Sequence, residues 1–358
     1  MDEAERDAFA ERMLGQTIGA LEVLGVYLGV RLGLYAALAD GRAVTPGELA
    51  DAAGIDPRYA REWLEEQAVA GILSAENGED ADSRRFTLPT EHADVLANEL
   101  GPAYLAPASL LVTGIAGVLP RLVDAYRTGA GISFGEYGPD VRDGQAAFNR
   151  PMFLSDLGAE WIPAMPDVHE RLLADPPARV ADVGCGAGWS TIGLKQAYPK
   201  VEAHGIDLDD ASIADARHHA KEAGLGGAVN FEVRDAADPA LAGRYDLVCI
   251  LEALHDMSRP VEALAAARAL LADGGSVLVV DERVADAFTA PGDELERMMY
   301  GWSILHCLPV GLAEQPSAAT GTVMRADTVR RYAADAGLSQ VEVLPVENDF
   351  FRLYRLRP

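Results

Sequence analysis

The sequence predicts an α/β protein: an open, mostly parallel sheet of the nucleotide-binding type, preceded by a smaller, mostly helical domain. Three observations predict it. The stretch Val180–Ser190, VADVGCGAGWS, reads as a buried strand, a glycine turn (Gly184, Gly186, Gly188) and a helix starting near Ser190. That order is the opening unit of a nucleotide-binding sheet, where a tight turn and close ligand approach leave no room for a Cβ. Strand and helix patterns then alternate as far as Arg283, and the first 100 residues show helix, turn, helix and hairpin.

The chain is long for one core at 358 residues, and 49% apolar with 24% charged residues is the balance of a folded protein. A net charge of −26, from 30 basic and 56 acidic residues, argues against binding nucleic-acid phosphates or anionic lipid. Three cysteines, Cys185, Cys249 and Cys307, lack the pairing of a disulfide framework or zinc knuckle. The acidic N-terminus lacks the basic start of a signal peptide. A cytoplasmic protein is expected.

Residues 11–39 are apolar at three- and four-residue spacing with only Glu22 and Arg31 charged in the middle, so a helix or helix pair here should be covered on most of its surface. Thr45-Pro46-Gly47-Glu48 is a capping box opening a helix that Gly54 ends. A second helix follows Asp56-Pro57 and runs to about Gly71, and GILSAENGEDADSRRFTLP reads as a hairpin. This is a winged-helix pattern over 1–100. DNA binding is the obvious inference, but the segment holds 8 arginines, no lysine and 20 acids, a balance of −12. A dimerisation and lid domain is the preferred reading, with a transcriptional regulator as the remote one.

The uncharged run Leu100–Pro120 is the one stretch that invites a membrane reading; its prolines and glycines favour a buried helix. Residues 101–178 form a helical connection and substrate lid carrying Arg142 and Arg150. Either could fork onto an anionic substrate, the ordinary alternative being an ion pair. From 179 onward, strands are expected at Val180–Val183, Val201–Asp207, Ala228–Arg234, Tyr245–Met257 and Gly274–Arg283, then a hairpin from Val341–Glu347 and Asp349–Leu356. Asp207 closes the second strand 19 residues after Gly188, where an acid accepts bonds from ribose hydroxyls.

DVGCGAGWS, IDLDD, RDAAD and LEALHDM, in this order and spacing, resemble the motifs of class I S-adenosylmethionine-dependent methyltransferases. With the winged-helix pattern the chain is similar to the dimeric small-molecule methyltransferases that carry such a domain. The resemblance implies a Rossmann-like seven-stranded sheet and a homodimer formed through the N-terminal domain. It also implies a cofactor site: Asp182, Gly184 and Gly186 at the methionine end, Asp207 and Leu208 at the ribose, Asp235 and Ala236 at the adenine, and Leu251 at the cofactor's amino group. A nicotinamide-dependent dehydrogenase rivals it for the glycine turn alone.

Two acceptor chemistries remain. In plant-type O-methyltransferases the histidine of the His-Asp pair after strand four is the general base, and His255-Asp256 stands there. Glu252 lies three residues before His255, and His306 follows 51 residues later in GWSILHCLP. Glu252, His255 and His306 have the composition of a two-histidine, one-carboxylate metal site. That set resembles the metal-dependent α-keto-acid C-methyltransferases, where zinc, iron or manganese would hold the keto acid as its β-carbon is methylated. Metal-assisted C-methylation is the sharper reading and O-methylation of an aromatic or polyketide hydroxyl the alternative. Met298 and Trp302 would line the acceptor pocket.

Overall fold

The computed structural model describes residues 2–76 and 78–358. The chain divides into two compact units, 1–116 with 143–151, and 117–142 with 152–358. The expected connection over 101–178 is thus shared between them.

The first unit opens with α1 (Glu3–Arg31), capped by the Asp2 side chain on the N–H groups of Ala4 and Glu5. A short α2 (Leu34–Leu38) follows. Then come α3 (Pro46–Ala53), with its capping box and left-handed Gly54, and α4 (Pro57–Val69), capped by Asp56. The strands β1 (Ser74–Glu76) and β2 (Arg85–Thr87) pair antiparallel as the wing, with Ser74 opposite Thr87. Leu34, Leu38, Leu49, Leu64, Phe86 and Leu88 form its core. On α4, Arg58 pairs with Glu62 and Arg61 with Asp82, so its basic side chains are matched by acids. After α5 (Thr90–Leu96), α6 (Ala108–Thr128) begins here and continues into the second unit.

The expectation that the apolar N-terminal helix is covered fails within this chain. Phe9, Met13, Leu14, Ile18, Leu21, Leu24, Leu28 and Leu32 are all exposed, and Gly29 alone is buried on α1. Gly29 is buried because the Trp63 ring lies 2.8 Å from where a Cβ would stand. The 100–120 run is helical only from Ala108 and buried on one face, with Leu110, Ile115 and Val118 covered while Val112 and Leu119 are exposed. Both α1 and α6 are long and apolar enough to cross a membrane by length and composition.

In the second unit α7 (Pro139–Asp156), part of which lies in the first, and α8 (Pro166–Leu173) lead to the sheet. Its strands are β3 (Arg179–Val183), β4 (Glu202–Asp207), β5 (Val229–Val233), β6 (Tyr245–Leu251), β7 (Leu271–Glu282), β8 (Gln340–Val343) and β9 (Phe351–Arg357). Their order is β5-β4-β3-β6-β7-β9-β8, with β9 antiparallel to both neighbours, so all seven expected strands are present and the sheet is the Rossmann-like one. The reversal of order at β3, with β4 on one side and β6 on the other, places the strand-end crevice beside the glycine turn. Helices α9 (Trp189–Ala197), α10 (Asp210–Glu222) and α11 (Pro260–Leu270) connect the parallel strands. Next come α12 (Glu294–Trp302), a π turn over Ser303–Cys307, and α13 (Leu308–Gly311); α14 (Ala326–Asp335) precedes the closing hairpin.

Candidate active site

At the carboxyl end of β3 the chain turns through Gly184, Gly186 and Gly188, all at positive φ (72°, 50° and 82°). Gly188 is the most crowded: a Cβ there would stand 2.7 Å from Ala216 Cβ and 2.8 Å from the Phe231 ring, and one at Gly184 would stand 3.0 Å from Ala253 Cβ. At Gly186 nothing lies within 4 Å of the Cβ position, so the turn presents open backbone. Asp207 ties this turn to the end of β4. Its carboxylate accepts from the Gly186 and Asp209 N–H groups, both at 2.9 Å, and burial pushes its pKa up.

The other expected cofactor residues divide. Asp182 is buried and its Oδ2 accepts the hydroxyls of Ser190 and Thr191, both at 2.6 Å, which anchors the start of α9. Burial raises its pKa to about 6. Leu208, beside Asp207, is 68% exposed. Asp235 is exposed beyond β5 and accepts the Ala237 N–H at 2.8 Å, and Ala236 packs on the sheet core. Leu251 is the buried last residue of β6.

Beyond Leu251 the backbone passes through Glu252 at φ 52°, a left-handed conformation that a residue with a Cβ adopts at a cost of about 1–2 kcal/mol. The Glu252 N–H bonds to Val280 O at 2.8 Å, holding the strained residue against β7 at the carboxyl end of β6. The next turn, Leu254–Asp256, buries His255 between the ends of β6 and β7. Its Nδ1 is 2.6 Å from Asp281 Oδ1 and 3.0 Å from Glu282 Oε2, and its Nε2 is 3.2 Å from Asp256 Oδ1. Burial alone would lower its pKa; the charges of Glu282, Asp281 and Asp256 reverse that and hold it well above the ordinary imidazole value.

Asp281 is shifted down and its neighbour Glu282 well up. Two adjacent buried carboxylates beside one imidazolium retain a proton between them. Burial pushes Glu282 up while the imidazolium pulls Asp281 down, and Asp281 is the carboxylate at the shorter distance from His255.

His306 and Cys307 come from the π turn that interrupts the α12–α13 helix, and both are buried. The Tyr137 ring is 4.6 Å and the Phe134 ring 6.0 Å from the His306 ring, making an aromatic wall. Burial holds the His306 pKa down, so the imidazole is neutral, and its Nε2 has no hydrogen-bond partner.

The expected ligand set of Glu252, His255 and His306 is not gathered at one point. Among the described residues the groups whose ligand atoms lie within 4.8 Å of one another are His255, Asp256 and Cys307, and His255, Asp281 and Glu282. His306 packs instead against the Tyr137 and Phe134 rings, and Glu252 is held in its left-handed turn against Val280. The arginines are corrected too. Arg142 pairs with Asp215 at 2.8 Å and Arg150 with Glu99 at 3.4 Å, so the ion-pair alternative holds for both. Met298 is exposed and Trp302 half-buried on α12. Asp281, Glu282, Cys307 and Tyr137 were missed from the sequence. The acid pair at the end of GGSVLVVDER was the available signal, because ligand groups cluster at strand carboxyl ends.

Residues 174–323 match the methyltransferase domain family, and residues 20–98 match the Rv2258c-like winged helix-turn-helix domain. The second unit is built around a methyltransferase domain. Curated relatives of this domain include the ubiquinone biosynthesis O-methyltransferases of Azotobacter vinelandii, 32% identical over 139 residues (38% of this chain, 54% of the relative), and Burkholderia pseudomallei, 28% over 209 residues (56% and 78%). Among the first relatives matched, the chain spans between a quarter and about half of their length. Similar solved folds include the mitomycin 7-O-methyltransferase MmcR, with TM-score 0.68 at 19% identity over 99% of both chains. Human N-acetylserotonin methyltransferase, solved with S-adenosylmethionine, gives TM-score 0.65 at 15% identity over 97% of both. At these identities the likeness to solved structures is one of fold.

Proposed function

We propose that the protein is an S-adenosylmethionine-dependent O-methyltransferase of a small aromatic or polyketide hydroxyl, with His255 as general base. The observation that carries the reading is the placement of His255: one ring nitrogen held 2.6 Å from a buried carboxylate, just beyond the carboxyl end of β6, the strand beside the one that carries the glycine turn. The cofactor fits the chain's own residues. Gly186 leaves open backbone, Asp207 is fixed for two ribose hydroxyls, and Leu208 offers an exposed apolar surface beside it. Asp235 and Ala236 at the next strand end, and Leu251 at the end of β6, complete the set, while Asp182 shapes the turn from beneath.

When bound, S-adenosylmethionine supplies a methyl group on a positively charged sulfur. The protein's part is to make the acceptor oxygen nucleophilic. In the neutral state of His255, Asp281 accepts from Nδ1–H, which fixes the tautomer, and the Nε2 lone pair takes the hydroxyl proton of an acceptor that enters beside Asp256. Asp256 then stabilises the imidazolium. Tyr137 and Phe134 stand edge-on to His306 and make its surroundings aromatic, which suits a ring-bearing acceptor, with Met298 and Trp302 on α12 as further lining candidates. Metal-assisted C-methylation has less support, because its ligand set is not brought together. The relatives named above as O-methyltransferases favour the same acceptor chemistry.

The exposed apolar stripe of α1 supports a homodimer formed through the N-terminal domain, and the net charge supports a soluble cytoplasmic enzyme without nucleic-acid partners. The test is incubation with methyl-labelled S-adenosylmethionine, a panel of phenols and α-keto acids, and a metal chelator. Label on oxygen, undiminished by the chelator, is expected. Label only on carbon, abolished by the chelator, overturns the reading.

A further inference from the structure

We propose that His255, Asp256 and Cys307 form a site for a thiophilic divalent cation, best matched by zinc, whose binding switches the methyl-transfer base off. The second half of this statement rests on His255 being that base; the first half does not.

The donors come from two places far apart in sequence. His255 and Asp256 sit on the turn after β6, and Cys307 ends the π turn, and one ligand atom from each lies within 4.8 Å of the other two. A tetrahedral ion with bonds of about 2.0–2.3 Å spaces its donors about 3.3–3.7 Å apart, so the cluster needs small side-chain adjustments and no backbone rearrangement. His255 Nε2 and Asp256 Oδ1 are already 3.2 Å apart.

Two independent observations point to a cation. Asp256 Oδ1 is a buried atom facing His255 Nε2 at 3.2 Å, so two donors already flank the gap a cation would fill. Around it, Asp256, Asp281 and Glu282 outnumber the one imidazole they contact, so a positive ion there relieves a local excess of acid. The donor set selects the ion. One imidazole nitrogen, one carboxylate oxygen and one sulfur suit zinc, whereas magnesium and calcium require oxygen throughout. The alternative group, His255 with Asp281 and Glu282, has no sulfur, and its imidazole nitrogen is already engaged by Asp281.

Binding displaces two protons to solvent, the thiol proton of Cys307 and the Nε2 proton of the His255 imidazolium, and forms a metal–sulfur and a metal–nitrogen bond in their place. A hydroxyl acceptor then has no nitrogen to take its proton. Three protein donors leave a fourth position for water.

Cobalt(II), a spectroscopic substitute for zinc, tests the site without an acceptor. Titration of the full-length protein should give one equivalent bound per chain with a thiolate-to-cobalt absorption band, displaced by zinc. Cys307→Ser should lose the band while its circular dichroism and S-adenosylmethionine affinity are kept; Cys307→Ala serves should the serine variant not fold. In turnover assays zinc should lower the wild-type rate at least tenfold, reversibly with EDTA. The same zinc addition should change the Cys307→Ser rate less than twofold relative to that variant's own metal-free rate. No thiolate band in the wild type, or a band that survives loss of Cys307, overturns the site. Cobalt bound through Cys307 with turnover unchanged sustains the site and overturns His255 as the base.

Discussion

The two ends of the sheet crevice are built on different principles. Around the glycine turn, acids accept from neutral donors close in the fold: Asp207 from two backbone N–H groups, Asp182 Oδ2 from two hydroxyls. Around His255 the acids face one imidazole, and the elements come from residues 252–256, 281–282 and 306–307. The first arrangement makes a rigid socket whose shape is set in advance. The second stores charge, and its proton inventory decides whether it can act as a base.

If that division is right, each end fails in its own way. His255→Ala should lower turnover by about 10²–10⁴-fold, the usual contribution of a general base, with S-adenosylmethionine affinity unchanged by calorimetry. A loss of cofactor affinity of the same size would merge the two regions. Asp207→Ala should do the reverse, weakening cofactor binding roughly 10–100-fold through loss of charged hydrogen bonds worth about 1.5–3 kcal/mol, while the rate at saturating cofactor stays within a few-fold.

The contrast also explains what the sequence revealed. The glycine turn, Asp207 and all seven strands were legible because each depends on a few consecutive residues: a buried apolar run, a turn needing positive φ, an acid at a strand end. The winged-helix pattern was legible for the same reason, through the Thr45 capping box and Gly54. The acceptor end was only partly legible. His255 was identified by its neighbour Asp256, but its true partners depend on how β7 lies beside β6, which pairs Leu251 with Val280 and brings Asp281 to the imidazole. Glu252 and His306 shared a plausible composition without sharing a point in space. Burial of α1 was misjudged because an apolar stripe shows that a surface must be covered and leaves open whether the same chain covers it.

Smaller effects refine the boundary. Gly188→Ala should cost roughly 2–3 kcal/mol in denaturant unfolding, from a left-handed residue and a 2.7 Å contact with Ala216. Because the glycine turn is the socket, cofactor affinity should fall with it. Arg142→Gln should cost no more than about 1 kcal/mol, since its pair with Asp215 is partly exposed, and it should leave the acceptor KM unaltered; a large rise in KM would restore Arg142 to the acceptor site.

The central claim, that buried carboxylates set the protonation of His255, is tested most directly by its imidazole titration followed by NMR in the wild type and in Asp281→Asn. A group whose pKa is raised stays protonated at neutral pH, so the account predicts a wild-type midpoint well above the ordinary value of about 6.5, a rate that climbs with pH as the neutral base appears, and a downward shift of both in Asp281→Asn. A wild-type midpoint at or below the ordinary value, or one that Asp281→Asn does not move, would contradict it.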